Sequence, residues 1–134
     1  MRKLFVALAM TAAAGGLTAC ARMPTQQELS GIDYGNPVLQ DDAENQAKAY
    51  LSHRLKDPYS AVYDWQPVHT GWVKAPPLLG GGMDTGWVLK GTVNAKNSFG
   101  GYVGAKPYQF MFREGVLAHV WTVDPQTGIL MKDM

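Results

Sequence analysis

The residues from Val93 to Gly104, VNAKNSFGGYVG, combine a positive charge, several hydrogen-bond donors and paired glycines in one short stretch. Glycines permit backbone conformations that other residues resist, and amides freed in such a turn can form a concave nest for an anion. The charge and the polar side chains would lie beside that nest. We therefore predict a candidate binding loop formed by Asn94, Lys96, Asn97, Ser98, Gly100, Gly101 and Tyr102.

A structural alternative for this loop stays open. A hairpin that joins two strands also needs glycines, and side chains such as those of Asn97 and Ser98 commonly bond to their own backbone in turns. The spacing matches no phosphate-binding loop pattern. The sequence alone thus does not decide whether the loop is a binding site or a simple turn.

The other residues that could do chemistry show no enzyme pattern. The three histidines, His53, His69 and His119, lack the paired spacing of a metal site, and Ser60 and Ser98 lack the context of a nucleophile elbow. We predict no catalytic residue, no metal site and no cofactor. A catalytic pair assembled by folding stays open, because such a pair is recognised by its geometry.

Cys20 is the only cysteine of the chain, and it ends an export signal. Arg2 and Lys3 form the charged start, residues 4–14 form a short apolar segment, and small residues precede Cys20. The apolar segment is shorter than the roughly twenty residues that a membrane span requires. The stretch resembles a bacterial lipoprotein signal peptide, with Leu17-Thr18-Ala19-Cys20 as its cleavage box.

This resemblance implies that residues 1–19 are removed and that the Cys20 sulfur carries diacylglycerol, with a further acyl chain such as palmitate on the new amine. Each buried CH₂ contributes about 0.8 kcal/mol, so two or three chains make a stable anchor. Ala21, which is not Asp, implies the outer membrane. We expect the lipid membrane to be a partner through acylated Cys20, with the domain in the periplasm. An ordinary secretory signal with an incidental cysteine is the alternative.

The composition of the remaining 115 residues favours one small domain. They carry ten Lys and Arg against eleven Asp and Glu, and they include no basic stripe that could collect phosphates, so we expect no nucleic-acid partner. They contain no cysteine for a disulfide after Cys20. Stability must therefore come from the core, for which the tryptophans and tyrosines supply the largest side chains.

The first part of this chain predicts a tether and then a helix. Residues 20–40 are polar, contain prolines and glycines, and predict a lipidated flexible tether. From Asp41 onward apolar residues recur at helical spacing, with Asp41 as the capping residue and Glu44 completing a capping box. The Asp57-Pro58 pair predicts the end of the helix.

The rest of the chain predicts strands. Alternating patterns cover residues 61–66, 68–73, 86–96, 108–113 and 116–123, with an apolar loop at 75–85 and a tight turn at Glu114-Gly115. We predict an α+β fold in which one N-terminal helix packs on a small antiparallel sheet of three to five sequential strands. The single domain is predicted to span residues 41–134.

Two motifs, Leu55-Lys56-Asp57-Pro58-Tyr59-Ser60-Ala61 and the run from Val93 to Gly104, resemble those of a group of small uncharacterised exported proteins of proteobacteria. The resemblance implies no activity. With the anchor, we expect a periplasm-facing lipoprotein that acts as a binding or accessory interaction module on an envelope protein. The alternative is a small-ligand-binding or enzyme-inhibitor module that uses the 94–102 loop.

Overall fold

The computed structural model describes residues 23–75 and 80–134. The predicted signal peptide and Cys20 lie outside the described residues. No helix within those two ranges is long and apolar enough to cross a membrane. The elements are α1 (Gln26–Ser30), α2 (Gln40–Ser52), β1 (Asp57–Trp65), β2 (His69–Lys74), β3 (Met83–Lys96), β4 (Lys106–Arg113), β5 (Val116–Val123) and β6 (Leu130–Lys132).

The strands form one antiparallel sheet of six strands in the order β1-β3-β4-β5-β6, with β2 also paired to β3. The sheet-rich α+β class is confirmed. The predicted strand count of three to five is wrong, because in the described residues the tail from Leu130 adds β6 to the five predicted runs. The order is sequential only from β3 to β6, since β1 and β2 lie end to end along the same edge of β3.

A break at Gln66-Pro67-Val68 separates β1 from β2 and confirms the two short strands that the sequence allowed here. Trp65 pairs with Gly91 in the second half of β3, and His69 pairs with Val88 in the first half. The chain at this break stays attached to β3, because the Gln66 amide donates to the Lys90 carbonyl at 2.9 Å.

Helix α2 begins and ends earlier than predicted. Its N-cap is Leu39, whose side chain makes no capping hydrogen bond, and Asp41 lies inside the first turn. The predicted capping by Asp41 is therefore wrong, although a carboxylate in the first turn still suits the positive end of the helix. The helix ends at Ser52, because the chain must turn before it enters β1 at Asp57.

The core contains buried residues of α2 and of one sheet face. The described α2 residues with no exposed surface are Ala43, Ala47 and Leu51, and they share a cluster with the sheet residues Leu89, Val93, Phe110, Phe112 and Val120. The ring of Tyr50 meets Phe110 edge to face at 6.3 Å between centroids.

The opposite face of the sheet, which we call the open face, is only partly polar. The alternation in β3 predicts that Lys90, Thr92 and Asn94 point to solvent there. Val88 lies on the same face and is buried with Met111 and Trp121 in a second, smaller cluster. The alternation therefore predicts solvent exposure wrongly at the Val88 end of this face.

Residues that precede the predicted domain boundary at Asp41 also contact the sheet. The indole of Trp87 donates to the Gly35 carbonyl at 3.1 Å, and the guanidinium of Arg113 donates to the Asp33 carbonyl at 2.8 Å. Val38 is 7% exposed within the core. Asp33, Gly35 and Val38 therefore pack with the sheet although they precede Asp41. Earlier still, α1 begins with a capping box between Thr25 and Glu28.

Gly91 allows the indole of Trp65 to lie over β3, and we expect Gly91→Ala to destabilise the domain. An added Cβ would meet the Trp65 ring and would approach the Asp64 carbonyl oxygen within 2.7 Å. Overpacking of this kind costs about 1–3 kcal/mol. Urea unfolding should show this loss. In the control Gly31→Ala the added Cβ meets nothing within 4 Å, and equal stability of both variants would contradict the packing.

Candidate functional site

The side chain of Asn97 organises the loop that the sequence singles out. Its Oδ1 atom accepts hydrogen bonds from the amides of Phe99 at 2.9 Å and Gly101 at 3.1 Å. The Asn97 amide donates to the Gly101 carbonyl at 2.8 Å, and the Gly100 amide donates to the Asn97 carbonyl at 3.0 Å. Gly100 has a φ of 79°, which an ordinary side chain would resist. The loop is thus a tight turn closed by its first residue.

This geometry leaves the predicted anion nest without its donors. The amides of Phe99, Gly100 and Gly101 all donate to Asn97, so none of the three is directed at a ligand. The arrangement favours the alternative that the sequence left open, a turn whose side chain bonds to its own backbone. Ser98 is exposed on this turn.

The other predicted loop residues hold the loop against its neighbours. The Asn94 side chain accepts from the Gly104 amide at 3.1 Å, and the Tyr102 hydroxyl donates to the Ser60 carbonyl at 3.1 Å. The Lys96 amide donates to Ser60 Oγ at 2.9 Å, and the Lys96 ammonium lies 5.5 Å from the centre of the Tyr102 ring. The loop is therefore fixed to β1 through Ser60, for which the sequence predicted no role.

Large apolar side chains are exposed around this turn. Tyr59 is 100% exposed and Phe99 is 96% exposed, while Tyr102 and Val103 are about half exposed. We call these four residues the loop-end surface. Isolated exposed apolar residues are common, but several aromatic residues at one place are typical of an interaction site. Tyr59 and Phe99 do not stand out in the sequence, because an alternating pattern does not show which aromatic rings remain outside the core.

A pocket of about 300 Å³ contains predicted residues Lys96 and Asn97 in its wall. Four basic side chains line it, from Arg54, Lys56, Lys96 and Lys106. The Arg54 guanidinium lies 3.5 Å from an Asp133 carboxylate oxygen. The three lysines form no salt bridge within residues 23–75 and 80–134. The pocket therefore offers positive charge to an acidic group.

Two tyrosines beside the basic pocket are held in their neutral form. The Tyr50 hydroxyl donates to Asp133 at 2.6 Å, and the pKa of Tyr50 is raised to about 12, first by burial and then by that carboxylate. The pKa of Tyr108, which lines the pocket, is also raised, first by burial and then by the charge of Asp133. Both phenols therefore remain hydrogen-bond donors well above neutral pH.

The three histidines, for which the sequence predicted no metal or catalytic site, lie on different elements. His53 follows α2, His69 lies on β2, and His119 lies on β5 with its Nε2 atom 3.6 Å from an Asp84 carboxylate oxygen. Within the described ranges, no group of three or more His, Cys, Asp or Glu residues could hold a metal ion.

No protein-family model, no curated protein and no solved structure matches the chain.

Proposed function

We propose that the protein is a lipid-anchored lipoprotein of the outer membrane whose domain faces the periplasm and binds an envelope protein through the loop-end surface. The observation that carries the proposal is the exposure of Tyr59 and Phe99 beside lysines that have no acidic partner in the described part of the chain. The proposal includes no catalytic step and no cofactor.

The anchor half of the proposal is supported by the sequence of residues 1–20. A charged start, a short apolar segment and Leu17-Thr18-Ala19-Cys20 are typical of an exported lipoprotein. Several acyl chains would hold the protein on a membrane without a span. The residues between Cys20 and Asp33 then connect the lipid to the folded domain.

The binding half of the proposal is supported by the chemistry at the loop end. Aromatic rings supply much of the contact energy in protein interfaces. The neighbouring lysines add long-range attraction for a partner of opposite charge and favour its rapid association. The partner that fits is therefore an acidic protein surface with an apolar cleft for Phe99.

We also propose that α2 covers the sheet face opposite the open face, the face of Leu89 and Phe110, and is not part of the partner interface. Support comes from Ala43, Ala47 and Leu51, which are buried together with the aromatic residues of β4. The small alanine side chains allow the helix axis to approach the sheet closely. A buried leucine at this contact accounts for about 2–5 kcal/mol of stability by comparison with alanine.

The basic pocket favours a second candidate, a module that binds a small anionic ligand or inhibits an enzyme. Lys56, Lys96 and Lys106 would meet the anion, and the neutral Tyr108 phenol would donate to it. A small ligand that binds only the folded state raises the melting temperature by mass action. Thermal stabilisation by small anions favours this candidate, and its absence favours the protein partner.

We expect Cys20→Ser to abolish both processing and membrane association, because the serine oxygen does not replace the thiolate as the lipid acceptor. Fractionation of cell envelopes and the mass of the mature chain would measure both effects. The matched variant Ala21→Asp keeps the lipid and should move the protein toward the inner membrane. Unchanged processing and fractionation of Cys20→Ser would contradict the anchor.

We expect a photo-crosslinking residue at position 99 to join the protein to one envelope partner in intact cells. The same residue at position 116 is the control, because Val116 is 63% exposed but lies at the other end of the sheet. Charge reversal at Lys56 and Lys106 should lower the yield at position 99 by about tenfold, since like charges would then face each other.

Charge reversal at Lys48, which pairs with Glu44 on the helix at 3.4 Å, serves as the charge control. It should leave the crosslink unchanged. A crosslink of equal yield at positions 99 and 116, or one that charge reversal at Lys56 and Lys106 leaves intact, would contradict the proposed surface.

A further inference from the structure

The residues that follow the proposed anchor lie at the end of β3 that is farthest from the loop-end surface. Met23 lines a pocket of about 300 Å³ together with Lys74 and Met83, which pair with each other where β2 ends and β3 begins. At the other end of β3, Lys96 pairs with Tyr102 of the loop-end surface. Met23 and the loop-end surface therefore lie at opposite ends of the sheet.

Hydrogen bonds hold the segment after Met23 at the same end of the sheet. Thr85 Oγ1 and the Arg113 guanidinium both donate to the Asp33 carbonyl, at 3.2 Å and 2.8 Å. Thr85 lies at the start of β3, and Arg113 is the last residue of β4. The chain from Met23 to Asp33 therefore begins and ends beside the Met83 end of the sheet.

The length of the connection and the length of β3 set the two distances that matter here. Cys20 is three residues before Met23, and three extended residues span about 11 Å at most. β3 contains 14 residues, and at about 3.3 Å per residue its ends lie about 40 Å apart. Acyl chains on Cys20 would therefore hold the Met83 end, and not the loop end, at the bilayer.

The loop-end surface could reach that bilayer only if the domain lay down on one of its faces. A face that binds a bilayer combines basic with apolar side chains. The helix face exposes Asp41 and Asp42 in the first turn of α2, and the open face exposes Asp64 as well as Lys90. An anionic lipid surface attracts basic segments and repels carboxylates. The charges of the two faces thus favour an upright domain.

We propose that the domain stands upright on its anchor and meets its acidic partner about 40 Å from the bilayer. The inference rests on the proposed function, because it needs acyl chains at Cys20 and a partner at the loop-end surface. The partner is then a protein surface in the periplasm, away from the anchoring membrane. Lipid headgroups are not the ligand of Phe99.

Fluorescence quenching of the acylated protein on phospholipid vesicles tests this orientation. Cys20 is the only cysteine and its sulfur is acylated, so Ser98→Cys and Gly82→Cys each provide one free thiol for a fluorophore. Ser98 is exposed beside Phe99, and an added Cβ at Gly82 meets nothing within 4 Å. With a nitroxide on the lipid headgroups, we expect loss of emission at position 82 and no loss at position 98.

Photo-crosslinking provides the matching test in cells. The crosslinking residue at position 82 should form adducts with phospholipid, and at position 99 it should form adducts with protein. Loss of emission at position 98, no loss at position 82 of vesicle-bound protein, or a lipid adduct at position 99 would overturn the upright orientation and leave the anchor intact. A mature chain without acyl chains, or no protein adduct at position 99, would instead contradict the proposed function on which the orientation rests.

Discussion

The pairing of one long strand with three others is the constraint on which the rest of this structure depends. β3 contains 14 residues, and it pairs with β1 and β2 along one edge and with β4 along the other. Every other strand except β5 and β6 takes its register from it. Gly91, near the centre of β3, lets the Trp65 ring stack on Tyr63 and meet Phe110 edge to face. A change in that register would disrupt both the core and the open face.

The alternation along β3 also explains why the molecule offers two different surfaces. Side chains at odd positions, such as Leu89 and Val93, enter the core with α2, and those at even positions, such as Lys90 and Thr92, line the open face. Where β3 ends, the turn at Asn97 presents Phe99 to solvent. A strand that continues past its core in this way has one side that faces solvent and, at its end, an exposed aromatic ring.

The sequence predicted the elements well where a single local pattern decides them. The turn at Glu114-Gly115 is confirmed, because both residues have positive φ and Arg113 pairs with Val116 across it. It gave no indication of distant contacts, such as the hydrogen bond that Arg113 donates to the Asp33 carbonyl from far along the chain. At the candidate site the sequence left Asn97 open between a binding residue and a turn residue, and only the fold shows that its side-chain Oδ1 accepts from the amides of the nest.

Amide hydrogen exchange of the folded domain tests the central role of β3 most directly, since exchange reports the free energy of local opening along the chain. The amides of β3 from Val88 to Val93 should open only with global unfolding, and they should be the slowest of the chain together with those of β4. The three-residue edge strand β6 should exchange much faster. If the β3 amides exchange as fast as those of β6, the sheet is not organised around β3 and the account is wrong.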